Sequence, residues 1–110
     1  MTSVSVPLVV QRAVDAINAG DTDMFVEAFS ADGLIDDWGR VLQGHAGVRE
    51  WARTDAIGAG ARMQILDAVT TGAVTEIRFS WRSRVFTGES TAIVTAVGDR
   101  IGSFRIPPHA

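Results

Sequence analysis

The chain has 110 residues, and its 46% hydrophobic and 21% charged content is that of an ordinary globular domain. Ten basic and thirteen acidic side chains leave a net charge of −3, which argues against nucleic acid or another polyanion as the main partner. All ten basic residues are Arg and the chain has no Lys, Cys or Tyr, which excludes Schiff-base lysines, thiol nucleophiles, disulfides, Cys-ligated metals and phenolic acids.

From Pro7 to Ala19, the spacing of Val10, Ala13, Val14 and Ile17 predicts a helix with one apolar face, opened by Pro7 and closed by Gly20. Asp21 is placed to cap a short second helix with Phe25, Ala28 and Phe29 on one side. Ser30 to Gly33 reads as a turn, Leu34 to Trp38 as a short strand, and Gly39-Arg40 as a hairpin turn into Val41–Gln43. A third helix is expected from Gly44 to Thr54, followed by a flexible connector at Gly58–Gly60. Strands are expected over Arg62–Thr71, Val74–Arg82, Glu89–Val97 and Ile101–Ile106; the second alternates cleanly, with Ile77, Phe79 and Trp81 on one face. Three helices followed by a mainly antiparallel sheet define an α+β pattern, in one domain over residues 1–110. The first residues lack the basic start and apolar run of a signal peptide, and nowhere do about 18 apolar residues run together. A cytoplasmic protein with no membrane partner is the expectation.

Asp36 and Asp37 are the most informative residues for chemistry. Side chains alternate across a strand, so one carboxylate faces inward; Asp37 shares the parity of Ile35 and is the inward candidate, leaving Asp36 to solvent or to an Arg. An ionised carboxylate against an apolar wall is costly and is kept where partners or function compensate. The competing reading has Asp37 cap the turn at Gly39 through backbone amides. His45 is a candidate proton carrier or ligand contact, or else an ordinary first-turn residue of the third helix. Trp38, Trp51, Phe79 and Trp81 are candidate walls of a ligand pocket, though large aromatics at such spacing also build plain core. Asp67 shares the parity of Met63, Ile65 and Val69, which makes it a second pocket carboxylate or an Arg partner. One usable imidazole without a second at metal-ligand spacing gives no metal site, and no cofactor motif is present.

Ala16-Ile-Asn-Ala-Gly-Asp21, Phe29-Ser-Ala-Asp-Gly33, Asp36-Asp-Trp-Gly39 and Gly44-His-Ala-Gly-Val-Arg-Glu-Trp51 resemble the nuclear transport factor 2-like superfamily, and within it the SnoaL-like group. The resemblance covers essentially the whole chain. It implies a cone-shaped α+β fold: a curled, mainly antiparallel sheet with three helices from the first half packed on its concave side and an apolar pocket between. It also implies a homodimer through the outer sheet face, where Leu66, Val74 and Ala92 are expected to be directed. Asp37 falls where ketosteroid isomerases of this superfamily carry the aspartate that moves a proton beside a carbonyl. Their oxyanion-donating tyrosine reads as Ala13 here, and their second, protonated aspartate as Ile93. No acid lies between Ile93 and Val97, where SnoaL-type cyclases place theirs, and the Arg-and-two-Asp arrangement of the superfamily's epoxide hydrolases is not located. The function expected is binding of a small hydrophobic molecule, with cofactor-free acid–base chemistry at Asp37 (isomerase, cyclase, dehydratase or epoxide hydrolase type). The alternative is a non-catalytic binding or dimerisation module on the same fold.

Overall fold

The first helix, α1 (Leu8–Ala19), starts after Pro7, whose fixed φ suits an entry, and stops at Gly20, whose φ of 70° lets its amide close on Ala16 and Ile17 carbonyls. Asp21 caps the short α2 (Thr22–Glu27), its carboxylate accepting from the Met24 amide at 3.0 Å. These elements come from a computed structural model that describes residues 5–108. The second His, His109, lies outside the described residues.

Residues 30–33, expected to turn, instead continue a strand, β1 (Phe29–Asp37). Its pairing shifts register between Phe29 and Leu34, and the backbone bends there: a Cβ on Gly33 would stand 2.9 Å from the Ile101 carbonyl oxygen. Turn-forming residues serve a strand irregularity as readily as a turn, because both need the chain to bend away from regular pairing. The tight turn that follows is Trp38-Gly39, one residue earlier than expected, because Asp37 pairs directly with Arg40, the first residue of β2 (Arg40–Gln43). Then come α3 (Gly44–Asp55), a single 3-10 turn (Ile57–Ala59) in place of the flexible connector, β3 (Arg62–Thr71), β4 (Val74–Arg82), β5 (Thr87–Val97) and β6 (Arg100–Ile106).

The six strands form one sheet in the order β2-β1-β6-β5-β4-β3. Every pairing is antiparallel except β1 with β6. Facing residues in register share a face, so Ile35 with Phe104, Phe104 with Val94, and Ile77 with Ala92 trace one inner surface. The apolar stripes of α1, α2 and α3 cover that surface. Phe25, Phe29, Trp51, Ile77 and Phe79 are all buried there. Phe25 and Phe29 meet edge to face at 5.2 Å, and Trp51 lies 5.9 Å from both Phe25 and Trp81. Each such ring contributes about 1.5–3 kcal/mol by leaving water.

Two expectations about faces fail, for different reasons. Ala92 points inward and is fully buried, since it pairs with Ile77; Val74 does point outward. Asp67 is exposed on the outer face, its carboxylate accepting from the Ala68 amide. A bulge between Ile65 and Asp67 moves it opposite Arg78, so alternation counted from Met63 breaks one residue before it.

Candidate active site

The cavity that concerns function opens between the inner face of the sheet and the C-terminal end of α3, and its volume is about 260 Å³. Trp51, Phe79 and Trp81 form its deep wall, and Trp38, Val85, Phe86 and Ile106 its outer part. Three side chains break this apolar lining: Asp37, Asp55 and Ser90.

Strand alternation and the hairpin turn place the first of them. Ile35 points into the core, Asp36 out and Asp37 in, next to Ile106 of the neighbouring strand. Trp51, one helical turn from the end of α3, donates its indole N–H to Asp37 Oδ2 at 3.0 Å. That bond satisfies the buried indole and fixes the carboxylate at the cavity wall. Arg40 approaches the same oxygen at 3.8 Å, but its close partner is Asp55, at 2.8 Å. Thr54 donates its hydroxyl to the same Asp55 oxygen. Hydrogen bonding to Asp55, with the added attraction of Asp37, raises the pKa of Arg40 above its ordinary value, so the guanidinium stays charged. One Arg thus stands between two carboxylates at the cavity edge, an arrangement the sequence alone did not locate. Among the described residues, both contacts of Asp37 fall on Oδ2 and none on Oδ1.

Asp36 takes the turn-capping role considered for Asp37. Its Oδ1 accepts from the Gly39 amide at 2.9 Å, and Arg105 lies 3.6 Å from its other oxygen. His45 does not line the cavity: it sits in the first turn of α3, where its Nε2 donates to the Phe29 carbonyl at 2.9 Å. The ring ties α3 to the start of β1, and the expected pocket contact is corrected to a structural one. Trp38 reaches the cavity from the hairpin turn and is 56% exposed. Phe79 and Trp81 line the cavity as buried wall, and the Trp81 indole donates to Ser83 Oγ. Neither position compared with the isomerases supplies a polar group: Ala13 is core and Ile93 is on the outer face, while its inward neighbours are Ala92 and Val94. Among the described residues no group of three His, Asp or Glu side chains is placed to hold a metal ion.

Asp55, Ser90, Val85 and Phe86 are lining residues that sequence reasoning did not single out. Asp55 ends a helix, and only the packing of α3 across β1 brings it to Arg40. Parity carries a usable signal for Ser90, since it faces Phe79 across the β4–β5 ladder and therefore points inward.

No family model and no curated protein matches the chain. Solved structures do match it in fold. A proposed polyketide cyclase from Sinorhizobium meliloti superposes with a TM-score of 0.81 at 24% identity, over 92% of this chain and 94% of the other. An epoxide hydrolase/cyclase-like enzyme of pyran ring formation in the polyether salinomycin gives 0.81 at 19% identity, over 90% and 86%. The Δ5-3-ketosteroid isomerase of a Mycobacterium species gives 0.79 at 12% identity, over 92% and 90%. The chain therefore has the α+β cone of the nuclear transport factor 2-like, ketosteroid isomerase-like proteins. That fold carries many chemistries, so function has to be argued from the site.

Proposed function

We propose that this protein binds a small apolar molecule in the cavity and acts on it by cofactor-free acid–base chemistry, with Asp37 as the proton-transferring group. One observation carries the reading: a carboxylate in an aromatic wall, fixed through Oδ2 by the Trp51 indole at 3.0 Å, with Oδ1 left for a ligand. A positioned carboxylate of this kind can take a proton from carbon beside a carbonyl and return it at another carbon, and such a group contributes about 10²–10⁴ in rate. Fixing one oxygen removes the rotational search before transfer.

A second reading, epoxide opening, is favoured by the Asp37–Arg40–Asp55 constellation. There one carboxylate would orient water toward a ring carbon while a protonated partner delivers a proton to the departing oxygen. Both readings use the same cavity and no cofactor. The outer face, with Val69 60% and Val74 37% exposed, is the surface through which two copies would pair.

The deciding experiment follows deuterium exchange at the α-carbon of hydrophobic ketones, and ring opening of hydrophobic epoxides, by NMR with the native protein and Asp37→Asn. Exchange or opening that the variant abolishes while ligand binding persists supports catalysis. Binding by both proteins without turnover by either replaces it with the non-catalytic binding module.

A further inference from the structure

A second concavity, of about 440 Å³, lies on β3, β4 and β5 at the end of the sheet away from the β3–β4 turn. Strand register sets out the side chains that border it on the outer face. Arg62 stands opposite Arg82, and Arg82 opposite Thr87; the next row is Gln64, Ser80 and Glu89. We propose that this concavity is a phosphate-binding site, which takes a doubly charged phosphate group, either free or at the end of a phosphomonoester. The acid–base reading does not depend on it. Trp81 faces the cavity that holds Asp37, whereas its neighbours Ser80 and Arg82 point to the other side of β4.

Three observations carry it. The first is uncompensated charge. Arg62 and Arg82 are direct cross-strand partners, and like charges so placed, with Cβ atoms about 5 Å apart, oppose folding. Among the described residues neither has a carboxylate within ion-pair reach, whereas Arg40, Arg49, Arg53, Arg78, Arg100 and Arg105 each have one. The chain carries a net charge of −3, so acids that could neutralise the pair are not scarce. Those nearest in the register are engaged elsewhere. Arg78 holds Glu89 at 2.9 Å, and Asp67 turns its carboxylate to the Ala68 amide. An anion that bridges the two guanidiniums accounts for a like-charge pair kept in a concavity.

The second is a set of open donors. The side chains of Gln64, Ser80 and Arg82 make no hydrogen bond to any other described residue. Arg62 gives one N–H to the Asn18 carbonyl near the end of α1, which anchors its guanidinium and leaves its other donors open. The Thr87 hydroxyl is already directed at the Ser83 carbonyl. Two guanidinium forks, one amide and one hydroxyl therefore border the same concavity with hydrogens to give. Glu89 is the single acid there, and its ion pair with Arg78 offsets its charge.

The third is the match of charge and shape. The phosphate of a monoester carries about −1.5 to −2 charges at pH 7 and three strong acceptor oxygens. It can accept from two planar guanidiniums at once and balance both. A carboxylate brings one charge and two oxygens, enough for one fork. Two adjacent Arg in an acidic chain are too few to follow a nucleic acid backbone, which is held by many phosphate contacts.

Isothermal titration calorimetry with inorganic phosphate and with glycerol 3-phosphate tests the site, at low ionic strength because salt screens exposed charges. The native protein should bind a single equivalent saturably. Arg82→Gln should bind about tenfold more weakly, the scale of one hydrogen bond to a charged group, with its melting temperature unchanged because the side chain is exposed. Arg105→Gln removes a charge from the same face outside the concavity and should stay within about twofold. Tighter binding of glycerol 3-phosphate than of phosphate identifies a phosphomonoester as the ligand; equal or weaker binding identifies free phosphate. The proposal is overturned if the native protein shows no saturable binding, if Arg82→Gln binds like the native protein, or if equimolar acetate displaces the phosphate. An equal loss in Arg105→Gln also overturns it, since binding would then follow net charge alone.

Discussion

On the outer face of the sheet, charges sit in pairs between strands: Arg78 with Glu89 at 2.9 Å, and Arg105 with Asp36 at 3.6 Å. On the inner face, Asp37 meets an indole N–H, an aromatic wall and one guanidinium shared with Asp55. Asp36 and Asp37 are almost equally exposed, at 24% and 23% of the side chain. Exposure does not separate them; their partners do. The outer carboxylate has a backbone amide and a solvated Arg, which make a turn. The inner one has a single directional donor and an apolar surround, which suit a group that must stay available to a ligand.

The sharpest break between the faces is Asp37→Asn, which keeps shape and the bond from Trp51 but removes proton transfer. Activity on a competent ketone should fall about 10²–10⁴-fold, read by NMR exchange, with little change in the melting temperature. Trp51→Phe comes next. It keeps the ring against Phe25 and Trp81 but takes the donor from Asp37, and should cost about 1–3 kcal/mol in urea unfolding. It should also lower turnover, since Oδ2 is then unfixed; unchanged turnover would show that the indole bond has no part in positioning.

Arg40→Gln tests the shared guanidinium. The substitution takes away the cation that Asp37 and Asp55 both contact, and turnover should fall about tenfold, the scale of one hydrogen bond to a charged group. Turnover equal to the native value would remove Arg40 from the site. On the outer face, Asp36→Asn should leave turnover within a few-fold, since an amide oxygen can still accept from Gly39. Glu89→Gln should cost less than about 1 kcal/mol, an effect that added salt erases, as expected of an exposed pair.

The same contrast explains what the sequence could reveal. The inward turn of Asp37 was legible because pairing is regular from Leu34 to Asp37, and over such a stretch parity counts reliably. Asp67 was not, because the bulge after Ile65 leaves no mark in the hydrophobic pattern. The helices, their caps and the cone were readable from spacing and landmarks that run the length of the chain. Asp55 and Phe86 were invisible as site residues for a different reason. Each lies at the end of an element or in a turn, where no periodicity assigns a direction, and each joins the cavity only through tertiary packing. His45 illustrates the converse: its residue type suggested proton chemistry, and the Phe29 carbonyl claims its ring.

The place of β6 in the sheet bears on how the molecule comes into being. Within the sheet, β1 and β2 are joined to the other strands through β6 alone, by the parallel pairing of β1. Even the Trp38 amide is satisfied by Ile106, in the last strand. Strands so far apart in the chain meet late, since the entropy of closing so long a loop must be met before their contacts reward it. The hairpin bearing Asp37 therefore completes its pairing in the sheet only when β6 is in place, and the cavity it borders depends on that long-range contact. Without that pairing, the edge of β1 that β6 covers is open to pairing with a neighbouring chain.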